Sequence, residues 1–156
     1  MKAEETVDFH LRRTWQSLMK YYNDVAAGYG VSMATGFVLL TIDKEAGTPA
    51  TALGPKMGME ATSLSRLLRS MEEKGLIKRR PNPEDGRGVL VFLTDFGQEK
   101  REDAKGAVLQ LNNFLYHHFP AEKVHTVLEV LEEIHQLAQQ GLIPKFEPHT
   151  LKTNEI

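Results

Sequence analysis

The chain contains no cysteine, which removes disulfide scaffolds, thiolate zinc sites and any nucleophile or redox sensor built on a thiol. It also lacks a long hydrophobic run. The longest apolar stretch is Phe37, Val38, Leu39 and Leu40 with Ile42 just beyond, far short of the roughly 20 residues that span a bilayer. The N-terminus is polar and acidic where a secretory signal is basic and then apolar, so a cytoplasmic protein without a membrane partner is expected. No excess of one charge stands out: 19 Lys and Arg face 21 Asp and Glu, a net −2. Binding to a polyanion therefore has to show as local asymmetry. The sequence has no glycine-rich phosphate loop, no Gly-x-Ser-x-Gly elbow and no His-Glu-x-x-His, and no enzyme is expected. What is present, at 156 residues with 41% hydrophobic and 26% charged, is the composition of one globular domain, or one small domain with appended helices.

The charge is unevenly placed. Residues 1–55 carry −1, residues 56–101 carry +3 and residues 102–156 carry −4. Within residues 62–80 six basic side chains (Arg66, Arg69, Lys74, Lys78, Arg79, Arg80) face only Glu72 and Glu73. A polyanion would dock there.

Apolar spacing organises the chain around this basic centre. Val7, Leu11, Trp15, Leu18, Tyr22, Val25 and Tyr29 recur every three or four residues, one face of a long helix, ended by Gly28 and Gly30. Ser32 is an N-cap for a second helix with Met33, Phe37, Leu40 and Ile42 on its buried side. Thr48-Pro49 reads as an N-cap with proline at the first helical position, opening a short helix through about Met57. Gly54-Pro55 removes a backbone donor there and predicts distortion or shortening. A better helix starts near Glu60, with Leu64, Leu67, Leu68 and Met71 as its apolar stripe and Gly75 at its C-terminal end. Two strands follow, beginning at Leu76 and at Val89, joined by the turn formers of residues 81–88. Thr94 or Asp95 caps a helix to about residue 118, with Ala104, Val108, Leu111 and Leu115 inward. After a break at Phe119-Pro120, a last helix sets Val124, Leu128, Leu131, Ile134 or His135, and Ala138 along one side.

Two short helices joined by a tight turn, then a basic hairpin, describe a winged helix-turn-helix. The second helix has to be apolar where it docks on its own domain and to offer short donors and acceptors toward the major groove. Thr62, Ser63 and Ser65 meet that need near its N-terminus. Arg66 and Arg69 reach further, to guanine edges or phosphates. Lys78, Arg79 and Arg80 fit phosphate contact or equally a strand edge blunted against pairing. Arg87, between two glycines at the hairpin tip, suits the narrow minor groove. For an isolated helix the same residues would be a solvated face; the hairpin that follows favours the nucleic-acid reading.

At these residues the chain resembles the MarR (multiple antibiotic resistance regulator) family. The likeness is carried by residues 60–79 and by Asp85-x-Arg87 followed after five residues by Leu93-Thr94, and the element order extends it over about residues 4 to 141. Gly54-Pro55 departs from the good helix formers usual in the family. The resemblance implies a mainly α fold with a small β-hairpin wing (α+β). Residues 1–31 form an N-terminal dimerisation helix, 32–96 the winged helix-turn-helix, 97–142 C-terminal dimerisation helices, and 143–156 an irregular tail. It implies a homodimer on double-stranded DNA, with Arg87 in the minor groove and Asp85 positioning the wing.

On that resemblance the expected protein is a ligand-responsive transcriptional regulator, a repressor on a pseudo-palindromic operator. The alternative is a helical ligand-sensing or protein-interaction dimer that does not bind DNA. A small organic effector is the implied partner, with no cofactor, and the absence of cysteine excludes a thiol-oxidation switch. Helix phase and resemblance suggest an effector pocket using Trp15, Tyr22 and Phe37, with His10 or Arg13 as polar anchors; much of the remaining aromatic set belongs to a dimer core. Of the six histidines only His117, His118 and His125 lie near one another, without ligand spacing, and no metal site is expected.

Overall fold

A computed structural model describes residues 2–83, 85 and 88–144, and these form six α-helices and three short strands. In order they are α1 (Val7–Gly28), α2 (Met33–Thr41), β1 (Thr48–Pro49), α3 (Ala50–Met57), α4 (Ala61–Glu73), β2 (Ile77–Pro81), β3 (Val89–Leu93), α5 (Asp95–His118) and α6 (Ala121–Gln139). The strands make an antiparallel sheet in the order β1-β3-β2, with Ile77 opposite Leu93 and Arg79 opposite Val91. The chain divides into two compact units, Met1–Leu111 and Asn112–Ile156.

The core of the first unit gathers side chains from α2, α3, α4 and the sheet. Val38, Leu39, Leu53 and Val91 have no exposed surface, and Leu68, Met71, Leu76 and Ile77 have almost none. Each such side chain contributes about 1.5–3 kcal/mol on burial. Ser32 caps α2 as expected, its hydroxyl accepting the Thr35 N–H at 3.1 Å. The buried side of α2 differs from the expected one, because the helix is enclosed on two sides. Val38, Leu39 and Ile42 enter the core, while Met33, Phe37 and Leu40 stay half-buried toward α1 and α5.

Thr48 and Pro49 do not open a helix. They pair with Val91 and Leu90 as a third strand beside the hairpin. The hydroxyl that a cap needs is engaged elsewhere, since Thr48 Oγ1 accepts the Asp43 N–H at 2.8 Å. Helix α3 begins at Ala50 and runs through Pro55 to Met57, so Gly54-Pro55 does not stop it early. Gly54 has its own reason to be small: the turn after α3 folds back so that Met59 N–H meets the Gly54 carbonyl at 3.0 Å. A Cβ on Gly54 would stand 3.2 Å from the Met59 oxygen.

The junction of α4, the hairpin and α5 is tied together by the backbone. Leu76 N–H bonds the Met71 carbonyl at 2.9 Å and Gly75 N–H bonds that of Glu72 at 2.9 Å, the paired bonds that close a helix on a left-handed residue. Thr94 caps α5: its hydroxyl accepts the Gly97 N–H at 2.9 Å and donates to the Gly75 carbonyl at 2.5 Å. One turn further, Arg101 Nη1 donates to the Leu39 and Ile42 carbonyls, both at 2.6 Å, at the C-terminal end of α2.

In the second unit Phe114 stacks on His118 with centroids 5.6 Å apart, and Tyr116 meets the edge of His125 across the Pro120 break. Helix α6 buries no residue fully. Val124 and Ile134 are half-buried; Leu128 and Leu131 remain exposed, as do Val7, Leu11 and Trp15 on α1. Among the described residues no single helix is long and apolar enough to cross a membrane.

Gly97 gives a direct test of the junction. A Cβ there would lie 1.9 Å from the Leu76 carbonyl oxygen, a backbone atom that cannot turn aside. Gly97→Ala is expected to destabilise the protein by about 1–3 kcal/mol, the usual cost of forcing a methyl into packed structure, read as a lower midpoint in a thermal melt followed by circular dichroism.

Candidate nucleic-acid interface

Helix α4 divides cleanly. Leu64, Leu68 and Met71 are buried in the core, and Leu67 packs against it. Thr62, Ser63, Ser65, Arg66 and Arg69 all face solvent, so the structure places these five expected residues on one surface. At its N-terminus Glu60 makes no side-chain cap bond, and the first turn holds no acidic residue. The free amides and the partial positive charge of the helix dipole therefore face outward.

The basic residues differ in what already holds them. Arg69 Nε lies 3.0 Å from Glu73 Oε1, both side chains well exposed. Arg79 grips Glu72 with two nitrogens, Nε at 2.8 Å, joining β2 to α4. Arg80 lies over the Phe92 ring at 5.4 Å, its guanidinium steadied on the next strand. Arg66 makes no ion pair among the described residues. Asp85 lies in the turn between the strands, where Gly88 N–H bonds the Asp85 carbonyl at 2.8 Å and Asn82 N–H bonds that of Gly88 at 2.9 Å. Arg87 lies outside the described residues.

The expected effector residues do not assemble as one group. Tyr22 and Phe37 line a cavity between α1, α2 and α5, their rings 5.8 Å apart. Trp15 stacks on Phe37 at 6.2 Å without lining that space. His10 and Arg13 are not among the lining residues; His10 Nε2 sits 2.8 Å from the Glu4 carbonyl and both side chains are exposed. The polar groups at this cavity are instead Tyr22, Tyr29, Lys100 and Asp103. Burial and the neighbouring Tyr21 push the Tyr22 phenol up. Lys100 and Asp103 escaped the sequence reading because a Lys-x-x-Asp pair on a helix ordinarily marks a solvated face.

The Glu72–Arg79 pair carries a pH dependence. The hydrogen bonds and charge of Arg79 hold the Glu72 carboxyl below its ordinary range. A carboxylate depressed on folding stabilises the protein above its unfolded pKa, and that stabilisation is lost as pH falls through the depressed folded value. Glu72→Gln is thus expected to melt below the parent at neutral pH, and the gap is expected to close as the buffer is taken into the acid range.

Residues 31–89 match the MarR family, a span that contains the helix-turn-helix and reaches into β3. The organic hydroperoxide resistance transcriptional regulator of Bacillus subtilis is 28% identical over 115 residues, covering 72% of this chain and 78% of that protein. Other curated HTH-type regulators are matched over about half of their own length, 48% and 57% in two cases. The crystal structure of wild-type MarR from E. coli superposes with a TM-score of 0.69 at 27% identity, over 83% of this chain and 96% of that one. The S. aureus MepR–DNA complex superposes at 0.76 with 17% identity, over 84% and 97%, a likeness of fold. With the family match on the helix-turn-helix and MarR itself among its structural relatives, residues 31–89 of the chain form a MarR-family domain.

Proposed function

We propose that the chain is a DNA-binding transcriptional regulator, a repressor that binds a pseudo-palindromic operator as a homodimer and answers to a small organic effector. The observation that carries this reading is the outer face of α4. Short hydroxyls at Thr62, Ser63 and Ser65 are followed by Arg66 and Arg69, on a helix fixed from behind by Leu64, Leu68 and Met71. Such a face presents base-reading groups in the major groove, with guanidinium groups for guanine edges or phosphates. Arg80 extends the basic surface along the wing, and the resemblance to the family assigns Arg87 to the minor groove and Asp85 to positioning the wing.

The domain division follows from the same reading: residues 1–31 and 97–142 form the dimerisation body and 32–96 the winged lobe. Val7, Leu11 and Trp15 on α1 and Leu128 and Leu131 on α6 expose large apolar surface in the single chain, which a second copy would cover. Two-fold symmetry then sets half-sites about 10 base pairs apart or a small multiple of that. The protein works in the cytoplasm and catalyses no reaction.

The test is duplex affinity, measured by fluorescence anisotropy on sequences selected from random DNA. With roughly 6–10 phosphates neutralised, affinity is expected to fall by about 10³-fold or more between 50 and 200 mM salt. Arg66→Ala is expected to cost about 1–3 kcal/mol of binding, and Arg87→Ala to weaken it as well, with dimerisation and melting midpoint unchanged in both. Duplex affinity that ignores salt and both substitutions would overturn the reading.

A further inference from the structure

We propose that the cavity between α1, α2 and α5 takes an uncharged, ring-sized organic ligand and turns away the matching carboxylate, with Asp103 as the residue that sets this preference. The inference rests on the ligand-responsive reading above and adds the charge class of the ligand.

The walls are largely apolar, formed by Val25, Val31, Met33, Phe37, Leu40 and Val108. Lys100 and Asp103 are the only charged residues among those lining the space, and they hold each other: Lys100 Nζ lies 3.0 Å from Asp103 Oδ2. Glu99 Oε1 stands 3.8 Å from the same ammonium, and the Phe96 ring lies under it at 5.7 Å. The side chain of Lys100 is 17% exposed, and its bond to Asp103 favours the protonated form. The single cation of the cavity is therefore already matched by two carboxylates.

A ligand carboxylate aimed at Lys100 would meet Asp103 on the same ammonium. Like charges at that range disfavour each other, and the anion would give up its hydration to apolar walls without an unmatched cation to replace it. A neutral amide or phenol of the same outline gives up far less, and the hydroxyls of Tyr22 and Tyr29 can donate to it or accept from it. Counted out to its open mouth the void is about 400 Å³, but the part that the centre of a water molecule can occupy is only about 30 Å³. A ring is admitted only as lining side chains such as Phe37 turn aside.

That movement supplies the readout. Trp15 is the only tryptophan in the chain and stacks on Phe37, so displacement of Phe37 changes its fluorescence. The full chain is titrated at neutral pH with benzamide and with benzoate, which share a shape and differ in charge. The parent is expected to bind benzamide about tenfold or more tightly than benzoate, a ratio set by one unrelieved like-charge contact. Asp103→Asn, which releases Lys100 from its closest carboxylate, is expected to invert the order. Lys100→Met, which leaves Asp103 alone, is expected to widen the parent ratio, and it keeps the test available should Asp103→Asn fail to fold.

Equal or tighter binding of benzoate by the parent overturns the proposal. So does an unchanged ratio in a folded Asp103→Asn protein, or binding of neither probe. Duplex affinity measured in the same samples separates the two readings: probes that bind with the expected ratios but leave DNA binding untouched sustain the charge preference and remove the regulatory role of the cavity.

Discussion

The peptide unit of Leu76 is shared by three elements that would otherwise be free to move apart. Its N–H bonds the Met71 carbonyl and so finishes α4. Its carbonyl accepts the Thr94 N–H at 3.1 Å, at the point where β3 gives way to α5. Both backbone groups are thereby satisfied in a place closed to water, which a buried peptide requires. The side chains on either side, Ile77 and Leu93, face each other across the sheet and enter the core. The angle between α4 and the hairpin follows from this one connection. Gly97 allows it, because the first turn of α5 lies against the same carbonyl.

Helix α5 is held a second time by Arg101. A guanidinium at the end of α2 donates to two carbonyls that lack helical partners, and a cation at a helix C-terminus also meets the negative end of its dipole. The two ties, at Thr94 and Arg101, lie within about two turns of helix. The next turns, with Asp103, Ala104, Ala107 and Val108, line the cavity. The stretch of α5 that forms one wall of the cavity is therefore rigidly continuous with the stretch that fixes α2 and the hairpin. From α5 the connection to α4 runs through Thr94 and the Gly75–Leu76 turn, the contacts described above.

The parts of the fold that were legible in the sequence share one property: a single apolar face. The stripe at Leu64, Leu68 and Met71 identified α4, its exposed face and the residues on it. Helix α2 was harder because it is enclosed on two sides: Val38 and Leu39 entered the core with Ile42, while Met33, Phe37 and Leu40 stayed half-buried on the other side. Strand β1 was illegible, since two residues carry no periodicity and Thr-Pro has a standard meaning at a helix start. Its assignment depends on Thr48 bonding Asp43 and pairing with Val91, contacts made by tertiary structure. The cavity residues on α5 were hidden for a related reason. Lys100 and Asp103 have the spacing of a surface ion pair, and only the packing of α1 and α2 turns that pair into part of a wall. His10 and Arg13 differ in the opposite sense: the half-buried residues Tyr22, Val25 and Ala26 that line the cavity lie in the C-terminal half of α1, whereas His10 and Arg13 are exposed nearer its N-terminus.

The basic centre of the chain is also less uniform than its charge suggests. Both acidic residues of the segment are engaged, Glu72 with Arg79 and Glu73 with Arg69, and the two pairs are unlike. Arg69 and Glu73 sit one turn apart on α4 with both side chains largely in water, where an ion pair holds its partners weakly. A phosphate arriving at α4 takes Arg69 from Glu73 at little cost and gains a charge-assisted contact in return. Arg79 is held by a two-pronged grip that spans from β2 back to α4, and removing it from Glu72 would loosen the strand from the helix. Arg69 therefore belongs with the contact surface and Arg79 with the scaffold that orients it, although composition alone counts them as the same positive charge. Arg66 makes no ion pair among the described residues, so on the outer face of α4 its charge is not matched by a carboxylate of the protein as that of Arg69 is.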